Sequence, residues 1–291
     1  LVAVYSEKGW WEKAYAVCQQ LEDDQLTADF LESACSPLLH KGQISLLESW
    51  LNELDQAMLQ QRPTLIAYFA AISSMRGDPK TGLQMLNNSL DKARFGENKG
   101  IHALLLLRKA NCLRIQGAYQ DGLENALAAL ELTQSQEEKK IYKAESHREI
   151  GLNQVRLGQI KDSNDHLKRA LNLYLDLDDH NNAAIVEMDL GLLSMNRGSY
   201  PEAREYFRGA YKIWETLGNL DRLIGLANNL GVLDHLTGNY LEAHQWFIQA
   251  LEFARQTGSS RNKAFTLASL TDLLLDLDAL EDAASHLDEA S

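Results

Sequence analysis

Apolar positions along the chain fall at intervals of three and four, with almost none of the Val/Ile/Thr alternation that marks strands, so the pattern predicts helix nearly throughout. Four prolines in 291 residues leave few forced breaks. The punctuation comes from glycine. Ile150-Gly151, Leu190-Gly191 and Leu230-Gly231 recur every 40 residues, and seven residues after each comes a second glycine, at Gly158, Gly198 and Gly238. Ile160, Tyr200 and Tyr240 follow, then a small residue (Ser163, Ala203, Ala243), a bulky one (Leu167, Phe207, Phe247) and an alanine (Ala170, Ala210, Ala250). Six positions in fixed phase over three copies predict paired antiparallel helices, A and B, stacked as a repeat.

This pattern resembles the tetratricopeptide repeat, in which large and small residues on helix A face a small residue on helix B. Two helices approach closely only where a Gly or Ala on one admits a side chain of the other. Gly191 against Ala203 and Ala210 is the contact expected. The second glycine would end helix A in a left-handed conformation, and Pro201 sits where the first turn of helix B should begin. Helix B of two copies would stop at Gly218 and Gly258, again 40 apart. Carried outward, the phase places turns at Gly117, Gly77, Gly42 and Gly9, and near Asp278 before Leu280, Ala283, Leu287 and Ala290. The expected fold is all-α: a solenoid of about eight tetratricopeptide-like repeats, a right-handed superhelix of roughly sixteen helices. Residues 1–291 would form one solenoid without separate domains, with Gln134 to Lys140 and Asp176 to Asn182 as polar inter-repeat loops.

A formal net charge of −13 argues against a nucleic-acid surface, since phosphate contacts need a basic face. Cys18, Cys35 and Cys112 form no CxxC pair and no even framework, so reduced thiols and a cytoplasmic location are expected. No apolar run is long enough for a signal peptide or a membrane span. The chain opens without Met and reads as a piece of a larger protein.

Spacing near 40, led by irregular copies at 33 and 35, is similar to the sensor arm of MalT-type regulators, the large ATP-dependent members of the LuxR group. Glu7-Lys8-Gly9-Trp10-Trp11-Glu12-Lys13-Ala14 looks like that family's entry into the sensor. Leu46-Leu47-Glu48-Ser49-Trp50-Leu51-Asn52-Glu53-Leu54, then Arg62-Pro63-Thr64-Leu65, looks like its "LL-x-W-L … L … RP-x-L" segment. Residues 1–90 would thus be degenerate, MalT-like leading repeats. The resemblance implies a nucleotide-binding switch domain before the repeats and a helix-turn-helix after them in the parent protein. The sequence contains no GxxxxGK[ST] loop. By this resemblance the fragment is a non-catalytic arm, sensing a ligand or partner for transcription regulation. A tetratricopeptide scaffold or adaptor, binding a peptide or protein in its groove, is the competing expectation.

Residue chemistry supports no enzyme and no cofactor. Asp23-Asp24 and Asp178-Asp179 sit beside expected helix ends, where capping accounts for them. The eight histidines show no HExxH and no metal-ligand spacing. The aromatic residues Phe207, Tyr211, Trp214, Tyr240, Trp246 and Phe247 fall at helical spacing, as core residues do. In this repeat class helix A lines the concave face, and counting from the small residue assigns the groove. Asn111 and Arg114 come from the fourth repeat, Arg148, Val155 and Arg156 from the fifth. Met188, Met195 and Asn196 come from the sixth, Asn228 and His235 from the seventh, and Asp272 and Asp276 from the last. Arginines in an acidic protein suit carboxylate or phosphate, although Arg148 and Arg156 have Glu145 and Glu149 within reach as alternative partners. The expected occupant is a small-molecule inducer or a peptide. Further contacts would be with the parent's own switch domain or a partner protein, and none with nucleic acid or membrane.

Overall fold

The computed structural model describes residues 1–40, 42–92, 98–133 and 140–279. Sixteen helices and no strands occur among them. They are α1 (Val2–Glu7), α2 (Trp11–Leu21), α3 (Asp24–His40), α4 (Ile44–Glu53), α5 (Gln56–Gln60), α6 (Pro63–Met75), α7 (Pro79–Lys92) and α8 (Lys99–Ile115), then α9 (Tyr119–Thr133), α10 (Lys140–Arg156), α11 (Ile160–Asp176), α12 (His180–Asn196), α13 (Tyr200–Leu217), α14 (Leu220–Leu236), α15 (Tyr240–Thr257) and α16 (Ser260–Asp276). Short α5, started by the Asp55 carboxylate accepting from the amides of Ala57 and Met58, is an addition to the two-helix plan. The eighth repeat shows its helix A, α16; Leu280, Ala283, Leu287 and Ala290 lie outside the described residues, as does most of the loop expected at Gln134 to Lys140.

Every turn glycine expected from the phase has a positive φ, from 69° at Gly9 to 88° at Gly77. In the regular copies the residue after the glycine donates back across the turn: Gln159 to Gln154, Ser199 to Ser194 and Asn239 to Asp234, each at 2.9 Å. This six-to-one bond satisfies a carbonyl that the helix end leaves open. The inter-repeat turns use the same device, with Asn219 donating to Trp214 and Ser259 to Ala254 beyond Gly218 and Gly258. Two positions do it without glycine: Asp178 (φ 53°) and Asp278 (φ 58°). A side chain there is disfavoured by steric contact with its own backbone. Asp178→Gly is therefore expected to stabilise the chain by up to about 1 kcal/mol, read as a higher melting temperature. Asp179 keeps the capping role expected of this pair, accepting from the Asn182 amide at 3.1 Å.

The chain divides into two compact units, Leu1 to His166 and Leu167 onward. In the first, Tyr15 stacks on Trp50 at 4.3 Å with Phe30 beside both, so the leading repeats have a dense aromatic core. In the second, Phe207, Trp214 and Phe247 are fully buried, whereas Tyr240 is exposed. Phe207 comes nearest to Gly191: a Cβ there would lie 2.5 Å from Cδ1 of the ring, so the glycine makes room for the bulky helix-B residue. Gly231 repeats the arrangement, with Cδ1 of Phe247 at 2.7 Å.

Within each unit, A helices of successive repeats pack on one another: α6 on α8 and α8 on α10, then α12 on α14 and α14 on α16. The backbones of the B helices stand farther apart, and α13 and α15 meet through long side chains, Gln249 donating to the Tyr211 hydroxyl at 2.8 Å and the Tyr211 and Trp246 rings meeting edge-on at 5.4 Å. A stack whose A helices lie closer than its B helices has the A row on its inner side. That row carries the candidate site.

Candidate functional site

In the first unit the inner row is charged. Helix α8 presents Arg108, Asn111 and Arg114 at three-residue intervals, hence along one side. Facing α10 supplies Glu145 and Glu149 four residues apart, which places both on one face. Arg108 pairs with both carboxylate oxygens of Glu145. Arg114 donates through Nε to Glu149 at 3.1 Å, and Asn111 donates to the other Glu149 oxygen at 3.4 Å. The Glu149 side chain is only 3% exposed. Burial opposes its charge, but the Arg114 and Arg148 guanidiniums and the two hydrogen bonds hold its pKa below the ordinary glutamate value. Burial likewise works against Arg108, and Glu145 more than compensates, holding the guanidinium above its usual value. Its Nε is buried without a hydrogen-bond partner. Tyr68 and Tyr142 complete the surroundings, their hydroxyl pKa values pushed up by burial and eased down by Arg108.

Three of the assigned groove residues, Asn111, Arg114 and Arg148, thus converge on Glu149. Val155 is half-buried and Arg156 exposed, both farther along α10. Of the acids expected as alternative partners for Arg148 and Arg156, Glu145 is paired with Arg108, and Glu149 is bonded by Arg114 while the Arg148 charge also acts on it. Counting from the turn overlooks Arg108. The fourth and fifth turn glycines are 41 residues apart, and the count lands on Leu107, which is fully buried. The 40-residue step from Arg108 to Arg148 is the signal that finds it.

In the second unit the inner row is mostly apolar. Met188, Leu192 and Met195 are half-buried, packed on the core around Phe207 and Trp214. Asn196 is exposed at the end of α12. Asn228 is 1% exposed, so it lies deeper than an open-groove position, and its Oδ1 has no hydrogen-bond partner. His235 Nε2 meets Asp276 Oδ2 at 2.8 Å, joining α14 to α16, with the Tyr240 ring edge-on at 6.0 Å. Glu187, turned toward Gly209, has a carboxyl oxygen without a partner, and burial raises its pKa. Among the described residues no group of three or more His, Cys, Asp or Glu side chains is placed to hold a metal. No described helix is long and apolar enough to cross a membrane. Cys18, Cys35 and Cys112 are free and buried, and burial pushes each thiol pKa up.

The family model described as tetratricopeptide repeat matches residues 101–176 and 182–256, just over half of the chain. The chain belongs to the tetratricopeptide-repeat family. No curated protein sequence matches it. Among solved structures, a Rap protein complexed with competence and sporulation factor is similar with a TM-score of 0.69 at 16% identity, over 99% of this chain and 97% of that one. NprR in complex with its cognate peptide NprX gives 0.61 at 16%, over 86% and 73%. A signal transduction ATPase with numerous domains from Pyrococcus horikoshii, which carries a tetratricopeptide repeat sensor, gives 0.66 at 12% identity. There the match spans 97% of this chain and 45% of that one. These likenesses establish a shared fold of helical repeats.

Proposed function

We propose that this tetratricopeptide-repeat chain is a non-catalytic sensing arm that takes a peptide or small inducer on its A-helix row. It acts in the cytoplasm and passes the occupied state to a switch domain or a partner protein. The observation that carries the reading is the network around Glu149 and Arg108. Apolar residues of similar volume would pack this face at least as stably as ion pairs, so charge kept here is better explained by recognition than by folding. The likeness to Rap and NprR structures solved with peptides supports a peptide as occupant. The leading segments, Trp50 with Leu51 and Arg62-Pro63, support a MalT-type regulator as the parent.

The test is a thermal-shift screen of the purified chain against sugars, metabolites and short peptides. A ligand at 100 times its Kd stabilises the folded state by about 2.7 kcal/mol, a readily measured shift. A peptide is expected to give it, and Arg148→Ala with Arg156→Ala to remove it. A chain that no compound shifts, yet which binds a folded protein partner with Kd unaffected by those two substitutions, is an adaptor and not a sensor.

A further inference from the structure

Clefts of about 360 Å³ open at the same place in two repeats, each lined by a B helix and by the turn that ends the following A helix. Leu83, Gln84, Asn87 and Gln116 line one; Arg204, Glu205, Arg208 and Thr237, each 121 residues further on, line the other. The cleft itself is a product of repeat geometry, and its lining is what distinguishes one copy from another. The fourth repeat has Leu123 and Leu127 at the positions of Arg204 and Arg208, so the fold does not require charge there.

In the sixth repeat the charge is organised. Asp234, its side chain 2% exposed, accepts from Nη2 of Arg204 at 2.7 Å and from the Asn239 amide at 3.1 Å. Asn239 also donates to the Thr237 hydroxyl at 3.0 Å, and that hydroxyl donates to the Leu233 carbonyl. A buried acid thus fixes one guanidinium against the turn, and Asp234 is its hydrogen-bond partner among the described residues, which leaves further N–H groups of its fork for a ligand. Arg208, one helical turn along α13 and so on the same face, is exposed. Neither Arg208 nor Glu205 has an ion-pair or hydrogen-bond partner among the described residues. Tyr200 and Pro201 border the cleft with apolar surface.

Two forked donors on one face suit a planar carboxylate. A phosphate dianion gains less, because Asp234 balances Arg204, Glu205 stands in the lining, and the Glu242 charge also reaches Arg204. Glu205 calls instead for a positive group close to the carboxylate. We infer that this cleft is a binding site for a free α-amino acid with an apolar side chain, Arg204 and Arg208 taking its carboxylate, Glu205 its ammonium, and Tyr200 with Pro201 its side chain. The site is separate from the A-helix row and does not depend on what that row binds.

The test is calorimetric titration of the purified chain with L-leucine, L-methionine and L-phenylalanine, with their N-acetyl and amide derivatives, and with phenyl phosphate. At least one free amino acid is expected to bind, and acetylation or amidation to weaken it by roughly 10-fold or more, the worth of a hydrogen bond to a charged group. Arg208→Gln, at an exposed position, is expected to weaken it by a similar factor with the melting temperature unchanged. Glu205→Gln is expected to weaken the free amino acid and leave its N-acetyl form as it was, which reports directly on where the ammonium sits. Binding that Arg208→Gln leaves unchanged, or phenyl phosphate bound in preference to every amino acid, overturns the inference. So does the absence of binding at about 10 mM, a concentration that nearly saturates a site with a Kd of about 1 mM.

Discussion

Phe207→Ala is expected to destabilise the second unit by about 3–5 kcal/mol, the range for removing a fully buried aromatic side chain. The reason is local and checkable. Phe207 fills the space that Gly191 leaves open on α12, so truncation creates a cavity between helices A and B of one repeat. The reverse change, Gly191→Ala, forces a methyl group into the ring and is expected to cost about 1–3 kcal/mol by overpacking. The two substitutions act on one contact and should not add: the double variant is expected to be more stable than the sum of the single losses indicates. Urea unfolding of the four proteins measures the coupling. Strict additivity would show that ring and glycine do not share the contact the structure gives them.

Arg114→Ala is the second large effect. It removes a hydrogen bond and an opposite charge from Glu149, whose side chain stays buried, and breaking a buried pair on one side costs about 3 kcal/mol or more. Asn111 and Arg148 remain near Glu149 and keep the loss toward the lower end. The pH dependence follows from the depressed pKa of Glu149. Its contribution is fully present above the unfolded value, near 4.5, and is lost as pH falls through the lower folded value. In Arg114→Ala the folded value rises, so the difference in melting temperature between parent and variant should be largest near neutral pH and shrink as both are acidified. A difference independent of pH would mean that Arg114 contributes by packing alone.

Much of the fold can be read from the chain because a solenoid is built from local rules applied repeatedly. Each turn needs one residue at positive φ, and glycine adopts it without steric cost, so Gly9, Gly42, Gly77, Gly117, Gly158, Gly198 and Gly238 mark the repeats from sequence alone. Even Asp278, found by extending the phase, takes the left-handed conformation. The helix pairs, their order and the positions of Phe207 and Phe247 in the core follow from the same periodicity.

The site is less legible, because pairing between repeats depends on side chains 35 to 41 residues apart, whose reach no local period encodes. Sequence places Asn111, Arg114 and Arg148 on the A-helix row, but only the packing of α8 on α10 gives Glu149 to Arg114 and Glu145 to Arg108. A one-residue slip between the fourth and fifth repeats hides Arg108 from phase counting and is harmless in three dimensions. Asn228 reads as a groove residue in sequence, yet the neighbouring helices bury it. Sequence by itself determined where helices start, stop and repeat, since those are properties of single residues and their neighbours. The tertiary structure decided which charges meet and where space remains, since both depend on distances between helices.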